Sequence, residues 1–277
     1  KMQFTPVKET AMKYDIPVFQ PKKVREPECI EELRKYHADV MVVVAFGQIL
    51  PKEILEMTPY GCINVHASLL PKYRGAAPIN WAVMNGDTET GITTFFLKHE
   101  IDTGDIIQQV RVPIADTDNV EIVYDKLMKL GGDLVLETVD RILDGTVKSV
   151  PQADVLPETE LRPAPKIFKE TCRIDWNKGV KKVYDFVRGL SPYPAAWTEI
   201  CLPDGTKQVL KIFETEKIFT QHGLQVGTID TDRKTYFRIA VEDGFVNLLS
   251  IQIAGKKRMT ISDFLRGYRY TPGSRVE

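Results

Sequence analysis

The sequence predicts two domains, an α/β domain with a mainly parallel sheet and a small β-barrel after it. Apolar strand-like runs alternate with helix-period segments up to about residue 150, and short β-rich runs separated by tight turns fill the remainder. A stretch carrying Pro151, Pro157, Pro163 and Pro165 with little apolar periodicity divides them. The expected boundaries are therefore 1–150 for the α/β domain, 151–170 for a linker and 171–277 for the barrel.

Along the first domain, Glu28 to His37 carries Ile30 and Leu33 at helical spacing, and Asp39 then opens the run Val40 to Phe46, which reads as a fully buried strand. Gly47 ends it, and Pro51 to Met57 reads as a short helix before the Tyr60-Gly61 break. Strand Cys62 to His66 comes next, then a helix around Ile79 to Asn85, a β-rich Ile92 to Leu97, a polar turn Lys98 to Gly104 and a strand Ile106 to Val112. Two amphipathic helices, Val120 to Leu130 and Asp133 to Leu143, close the domain, and an antiparallel pair is allowed at the sheet edge. In the second domain, Trp197 to Leu202, Val209 to Glu214, Leu224 to Ile229, Tyr236 to Val241 and Val246 to Ile253 read as short strands. Asp204-Gly205, His222-Gly223 and Asp243-Gly244 mark the turns.

Composition excludes several classes. A chain of 277 residues with 43% apolar and 27% charged residues has the balance of ordinary globular domains. The longest apolar run, Val40 to Phe46, has seven residues, against the roughly 20 that a spanning helix needs. Cys29, Cys62, Cys172 and Cys201 lie far apart without a C-x-x-C, as reduced thiols of a cytoplasmic protein would, and no metal or disulfide framework is expected. The net charge of -1 hides an asymmetry: residues 1–165 hold 18 basic and 25 acidic residues, and residues 166–277 hold 19 and 13. The basic half suits nucleic-acid contact or, equally, an ordinary solvated surface.

Chemistry enters at Cys62 to His66. Period-2 alternation places Cys62, Asn64 and His66 on one face of that strand and Ile63 and Val65 on the other. Buried hydrogen-bonding groups without partners cost roughly 1 to 3 kcal/mol each, so Asn64 and His66 are either satisfied internally or open onto a crevice. Crevices in open α/β sheets lie beyond the carboxyl ends of the strands, which is where His66 falls. A strand-end histidine bonded to a backbone carbonyl and a site histidine remain about equal readings. Asp102, in His99-Glu100-Ile101-Asp102-Thr103-Gly104-Asp105, reads as an Asx-type turn residue or as a carboxylate that orients His66. The chain has no G-x-G-x-x-G, P-loop, H-E-x-x-H or G-x-S-x-G. Asn and His donors backed by an aspartate would instead suit a developing oxyanion.

The run Asn64-Val65-His66-Ala67-Ser68-Leu69-Leu70-Pro71-Lys72-Tyr73-Arg74-Gly75-Ala76-Ala77-Pro78-Ile79, with Asn85 to Gly91 and Ile101-Asp102-Thr103-Gly104-Asp105, resembles the 10-formyltetrahydrofolate-dependent formyltransferases. The resemblance continues through Arg173-Ile174-Asp175-Trp176, Gly189 to Trp197, Asp243 to Ser250 and Ala254 to Met259. It implies a Rossmann-like formyltransferase domain and an OB-like carboxyl-terminal barrel. Asn64, His66 and Asp102 match the family's catalytic residues, Ser68, Leu69, Leu70 and Pro71 its folate-binding loop, and Phe46, Gly47 and Ile49 a segment lining the pteridine pocket. The implied reaction transfers formyl from 10-formyltetrahydrofolate, without a metal, to the α-amino group of initiator methionyl-tRNA in translation initiation. A monomer is expected.

Lys166 and Lys169 match the family's basic linker, whereas Lys207, Lys211, Lys256, Lys257 and Arg258 are candidate tRNA contacts by charge, with solvated surface an equal reading for each. Family members begin with a strand carrying Gly-Thr-Pro, a helix, a second strand and a basic loop. Lys1 to Lys8 correspond to the end of that loop, so the first part of the folate domain is expected to be missing from this sequence. The competing readings are a formyltransferase acting on a sugar-nucleotide or purine-precursor amine, and a catalytically silent RNA-binding protein.

Overall fold

A computed structural model describes residues 4–157 and 160–277. Helices α1 (Pro6–Lys13) and α2 (Pro27–Arg34) both start on a proline, whose fixed φ suits a first helical position that donates no intrahelical bond. Then come β1 (Met41–Val44), α3 (Lys52–Leu55), β2 (Cys62–His66), α4 (Pro78–Met84), β3 (Glu89–Phe96) and β4 (Ile106–Pro113). The strands form one sheet in the order β1-β2-β3-β4. Helix α5 (Val120–Leu143) covers it, with Val123, Leu127 and Leu134 packed in one cluster with Ile92 and Val112.

This sheet is mixed, and antiparallel pairing extends beyond the edge. Strands β1 and β2 are parallel, but β2 pairs antiparallel with β3, and β3 with β4. The reason lies in the 67–88 connection, which leaves and re-enters the sheet at the carboxyl end of β2, so that His66 faces Thr93 and Ile63 faces Phe96. Two further expectations change. Strand β1 is half exposed rather than fully buried, since Val42 and Val44 stand exposed on one side at 40% and 58%. The two expected helices are one: α5 runs through Gly131-Gly132 because its apolar face continues from Val123 to Ile142. Packing along that face outweighs the roughly 1 kcal/mol that each glycine costs a helix.

Val150, Arg162 and Ala164 hold the start and end of the proline-rich stretch against the α/β domain. Val150 and Ile106 exchange backbone hydrogen bonds of 2.8 Å each way. Farther on, Tyr73 N–H donates to the Arg162 carbonyl at 2.6 Å, Ala164 N–H to Arg74 at 2.8 Å, and Ala77 N–H to Ala164 at 3.2 Å. Gly75 sits under Ala164 with φ +124°, and a Cβ there would come within 2.5 Å of the Ala164 carbonyl oxygen, so only glycine fits.

The second domain opens with α6 (Gly179–Leu190), β5 (Ala196–Cys201) and the long β6 (Lys207–Phe219). It continues with β7 (Ile229–Thr231), β8 (Phe237–Val241), β9 (Gly244–Ile253), β10 (Met259–Thr260), α7 (Ile261–Gly267) and β11 (Arg275–Val276). The sheet order is β11-β5-β6-β9-β8-β7, with β10 on β9. A Thr228–Arg275 bridge and a 2.9 Å bond from Val276 N–H to the Gly227 carbonyl draw its two ends together, giving the nearly closed barrel expected. Register shifts in β6 around Glu214 supply the bend that closure needs. Leu224 to Ile229 is not a strand: Gly227 takes φ +84° and Leu224 is exposed, leaving only Ile229 to enter β7.

Helix α6 joins the halves. Its buried Val180, Val183, Val187 and Leu190 recur at helical spacing, a signal the sequence offers plainly. At its crossing with α4, a Cβ on Gly189 would lie 2.4 Å from Met84 Cγ, so glycine permits the close approach. Buried Arg188 donates from Nη1 to the Asp118 carbonyl at 2.8 Å and from Nε to Asp185 at 2.8 Å.

Candidate active site

A cavity of about 710 Å³ opens at the carboxyl end of β2. Its walls are the loop after β1 (Phe46, Gly47, Gln48, Ile49, Leu50), the loop leading to α4 with the first turn of that helix (Gly75 to Asn80), the β3–β4 connection (Leu97 to Asp102), and Val120 and Tyr124. Asn64, Val65 and His66 line it from the strand itself. The three residues singled out for chemistry thus converge on one cavity.

His66 is held from several sides. Its Nε2 lies 2.8 Å from the Tyr73 carbonyl oxygen, and because a carbonyl only accepts, Nε2 carries the hydrogen. Phe95 packs edge-on to the ring at 6.4 Å between centroids. Asp102 Oδ2 stands 3.8 Å from Nδ1, beyond hydrogen-bond length, and accepts the Gly75 N–H at 2.9 Å. Asp102 therefore faces the imidazole as a charge partner anchored by backbone. Both acidic and imidazole side chains are about nine-tenths buried, which strengthens their mutual field. Asn64 is half-buried, and among the described residues its side-chain amide has no protein partner.

Cys62, on the same strand, is not among the residues lining the cavity: burial pushes its thiol up to about 11, and Sγ donates to the Ile54 carbonyl at 3.4 Å.

The expected ligand residues divide. Phe46, Gly47 and Ile49 line the cavity, with Phe46 and Ile49 exposing 43% and 70% of their surface. Ser68, Leu70 and Pro71 are buried beside it: Ser68 Oγ donates to the Lys72 carbonyl at 2.7 Å, and Leu70 packs with Phe95 and Ile106. Leu69 borders a separate cavity of about 320 Å³ formed with Asp87, Thr90 and Arg162. Among the described residues no three His, Cys, Asp or Glu side chains gather as a metal cage.

The basic residues form a row across the barrel wall. Lys169 Nζ lies 5.8 Å and the Arg173 guanidinium 5.4 Å from the Trp197 ring centre, and Lys166 lies 5.7 Å from the exposed Phe168 ring. Trp197 pairs with Lys211 across β5–β6, Lys211 pairs with Gln252 across β6–β9, and Gln252 Nε2 donates to the Lys256 carbonyl at 2.8 Å. Lys207 and Arg258 are differently employed. Lys207 contacts Glu277 at 3.1 Å and Glu199 at 3.6 Å, and Arg258 is paired with Glu214 and stacked on Phe213. Lys257 is exposed beside Lys256.

Sequence reasoning missed the groups that hold this arrangement. The Tyr73 carbonyl and Gly75 N–H act through the backbone, which no side-chain pattern advertises, although both fall inside the family-like run. Gln152, one of several polar residues between prolines, carries no local signal.

Comparison with known proteins gives two family matches: residues 1–139 fit the model described as Formyl transferase, and residues 166–269 fit that described as Formyl transferase, C-terminal domain. A protein named methionyl-tRNA formyltransferase from Phocaeicola vulgatus is 68% identical over 277 residues, covering all of this chain and 85% of the relative. One of the same name from Bacteroides fragilis is 61% identical with the same coverage. Among solved structures, WlaRD, a sugar 3N-formyl transferase, shares the fold with a TM-score of 0.62 at 19% identity, over 91% of this chain and 82% of that one.

Proposed function

The chain belongs to the formyl transferase family, and from that premise we propose that it transfers the formyl group of 10-formyltetrahydrofolate to the α-amino group of initiator methionyl-tRNA, for translation initiation. The observation that carries the choice of acceptor is the likeness to proteins of that name along the whole chain, barrel included. A formyltransferase specific for small amines has no need of a basic row on its second domain.

The chemistry is acyl transfer without a covalent enzyme intermediate. Apolar Phe46, Ile49 and Leu50 give the pteridine a dry wall, and their backbone groups serve its ring donors and acceptors. The acceptor amine, freed of its proton, attacks the formyl carbon, and negative charge develops on the formyl oxygen. Asn64 Nδ2 donates to that oxygen. His66 already gives Nε2–H to Tyr73, so its only proton for the oxyanion is one on Nδ1, and a ring protonated on both nitrogens is the donor form. Asp102, 3.8 Å from Nδ1, orients the ring while it is a carboxylate, and in taking the ammonium proton, directly or through water, it becomes neutral. Collapse breaks the bond from carbon to N10, which leaves with a proton as tetrahydrofolate.

The linker lysines Lys166 and Lys169, with Lys211, Lys256 and Lys257, suit a tRNA backbone, and Trp197 and Phe168 offer stacking faces among them. No described helix is long and apolar enough to cross a membrane, and the reading takes the protein to be a cytoplasmic monomer. The test offers labelled 10-formyltetrahydrofolate to the chain with charged initiator methionyl-tRNA, elongator methionyl-tRNA and small amines in parallel. Label on the initiator is the expected result, and label only on small amines overturns the reading.

A further inference from the structure

Asp102 carries the reactive carboxylate on unfavourable backbone. Its φ is +54°, a left-handed conformation that an L-residue with a side chain rarely holds unaided. Something must hold it. Gln152 is 3% exposed and lies 50 residues away in sequence, yet its Nε2 donates at 2.8 Å to the carbonyl of Asp102 and at 2.8 Å to that of Gly104. Its Oε1 accepts Arg74 Nε–H at 2.9 Å. The amide's orientation is fixed by these partners, because the arginine can only donate and the two carbonyls can only accept.

The arrangement closes a circuit. Arg74 is followed by Gly75, whose N–H binds Asp102 Oδ2 at 2.9 Å, and preceded by Tyr73, whose carbonyl binds His66 Nε2 at 2.8 Å. Gln152 thus clamps the loop bearing Asp102 to the loop that orients His66. It cannot drift, since the Val150–Ile106 backbone pair anchors it two residues earlier. We propose that Gln152 is a positioning residue for formyl transfer: it sets the distance between the Asp102 carboxylate and His66 without touching substrate. The inference rests on the function proposed above.

The test compares Gln152→Ala and the isosteric Gln152→Glu, each in the full chain, alone and in an Asp102→Ala background. Gln152→Glu keeps the volume and the acceptor for Arg74 but loses both donors to the loop. Both variants are expected to lower kcat about 10- to 100-fold while the KM for 10-formyltetrahydrofolate stays within about twofold and the Tm within a few degrees. In the Asp102→Ala background neither should lower kcat further, because the residue acts through Asp102. If Gln152→Glu retains kcat within threefold of the unaltered chain, or if the losses add in the double variant, the inference is overturned while the parent reading stands. If the unaltered chain formylates none of the acceptors, the parent reading fails first and takes this one with it.

Discussion

The two halves of the molecule solve the problem of cohesion differently. In the barrel half, the buried apolar residues form one continuous cluster that runs from Cys172 through Phe237 and Leu248 to Val276 and reaches across to Met84 of α4. Among the described residues of the α/β half they fall into three separate clusters, around Val123, Ile54 and Phe95. His66 at the end of β2 and the loops that carry Gly75 and Asp102 lie where those smaller clusters meet the cavity, and hydrogen bonds hold them there. The difference teaches where each kind of substitution is felt. An apolar truncation should injure the barrel through stability, whereas a polar one in the α/β half should injure turnover with little effect on folding.

The sharpest way to break that contrast is a cavity in the barrel. Phe237 is fully buried and packs edge-on against Phe264 and Tyr268 at 5.7 and 6.2 Å. Phe237→Ala should cost about 3 to 5 kcal/mol, since the aromatic cluster loses its centre and β8 and α7 cannot collapse fully onto the gap. Denaturant unfolding checks this. A loss below about 1 kcal/mol would mean that the barrel core is not the main store of stability.

Next in size are the site residues. Replacing Asn64 by Ala, or Asp102 by Asn, should slow single-turnover formyl transfer by about 100- to 1,000-fold, the usual loss for an oxyanion contact or its charge partner. The midpoint of unfolding should barely move, because Asn64 is half-buried with no protein partner among the described residues, and Asp102→Asn keeps a side-chain oxygen to accept the Gly75 N–H. Near-normal turnover in these variants would remove the assignment, and a large stability loss would erase the distinction between the halves.

These two regions also differed in how far the sequence revealed them. The period-2 face of β2 exposed Asn64 and His66 because strand alternation is a local property. Asp102 was ambiguous locally, since an aspartate in a polar turn has a sufficient structural excuse. Only the wider family-like run favoured it. Gln152 was invisible, because its meaning comes from a contact with residues 50 positions away. The single α5 was hidden by local chemistry: Gly131-Gly132 signals a break, and only the sheet beneath it says otherwise. Helix α6 was the reverse case: Val180, Val183, Val187 and Leu190 carry a clear apolar period, yet the expected elements of the second domain began at Trp197 and passed over it.

A third effect should be smaller and belongs to the barrel surface. If about three lysines of the basic row meet phosphates, each contributes about 0.7 to 0.9 to the slope of log affinity against log salt. Raising salt from 50 to 200 mM should then weaken tRNA binding by roughly 20- to 40-fold while leaving the KM for the folate unchanged. A flat response would detach the row from the tRNA.

The smallest predicted effect separates lysines that share a charge but not a circumstance. Lys211 stands opposite Trp197 in the middle of the row, and Lys207 at the end of β6 is already answered by Glu277 and Glu199. An ion pair in place must be broken before its cation can neutralise a phosphate, and exposed pairs are worth about 0 to 1 kcal/mol. That cost approaches what one phosphate contact returns in water. Lys211→Ala should therefore lower the salt slope by about one contact. Lys207→Ala should leave the slope unchanged and shift tRNA KM by less than about twofold, which follows from its pairing. Equal slopes for the two variants would show that position along the barrel wall, and not the local partner, decides which lysines meet the tRNA.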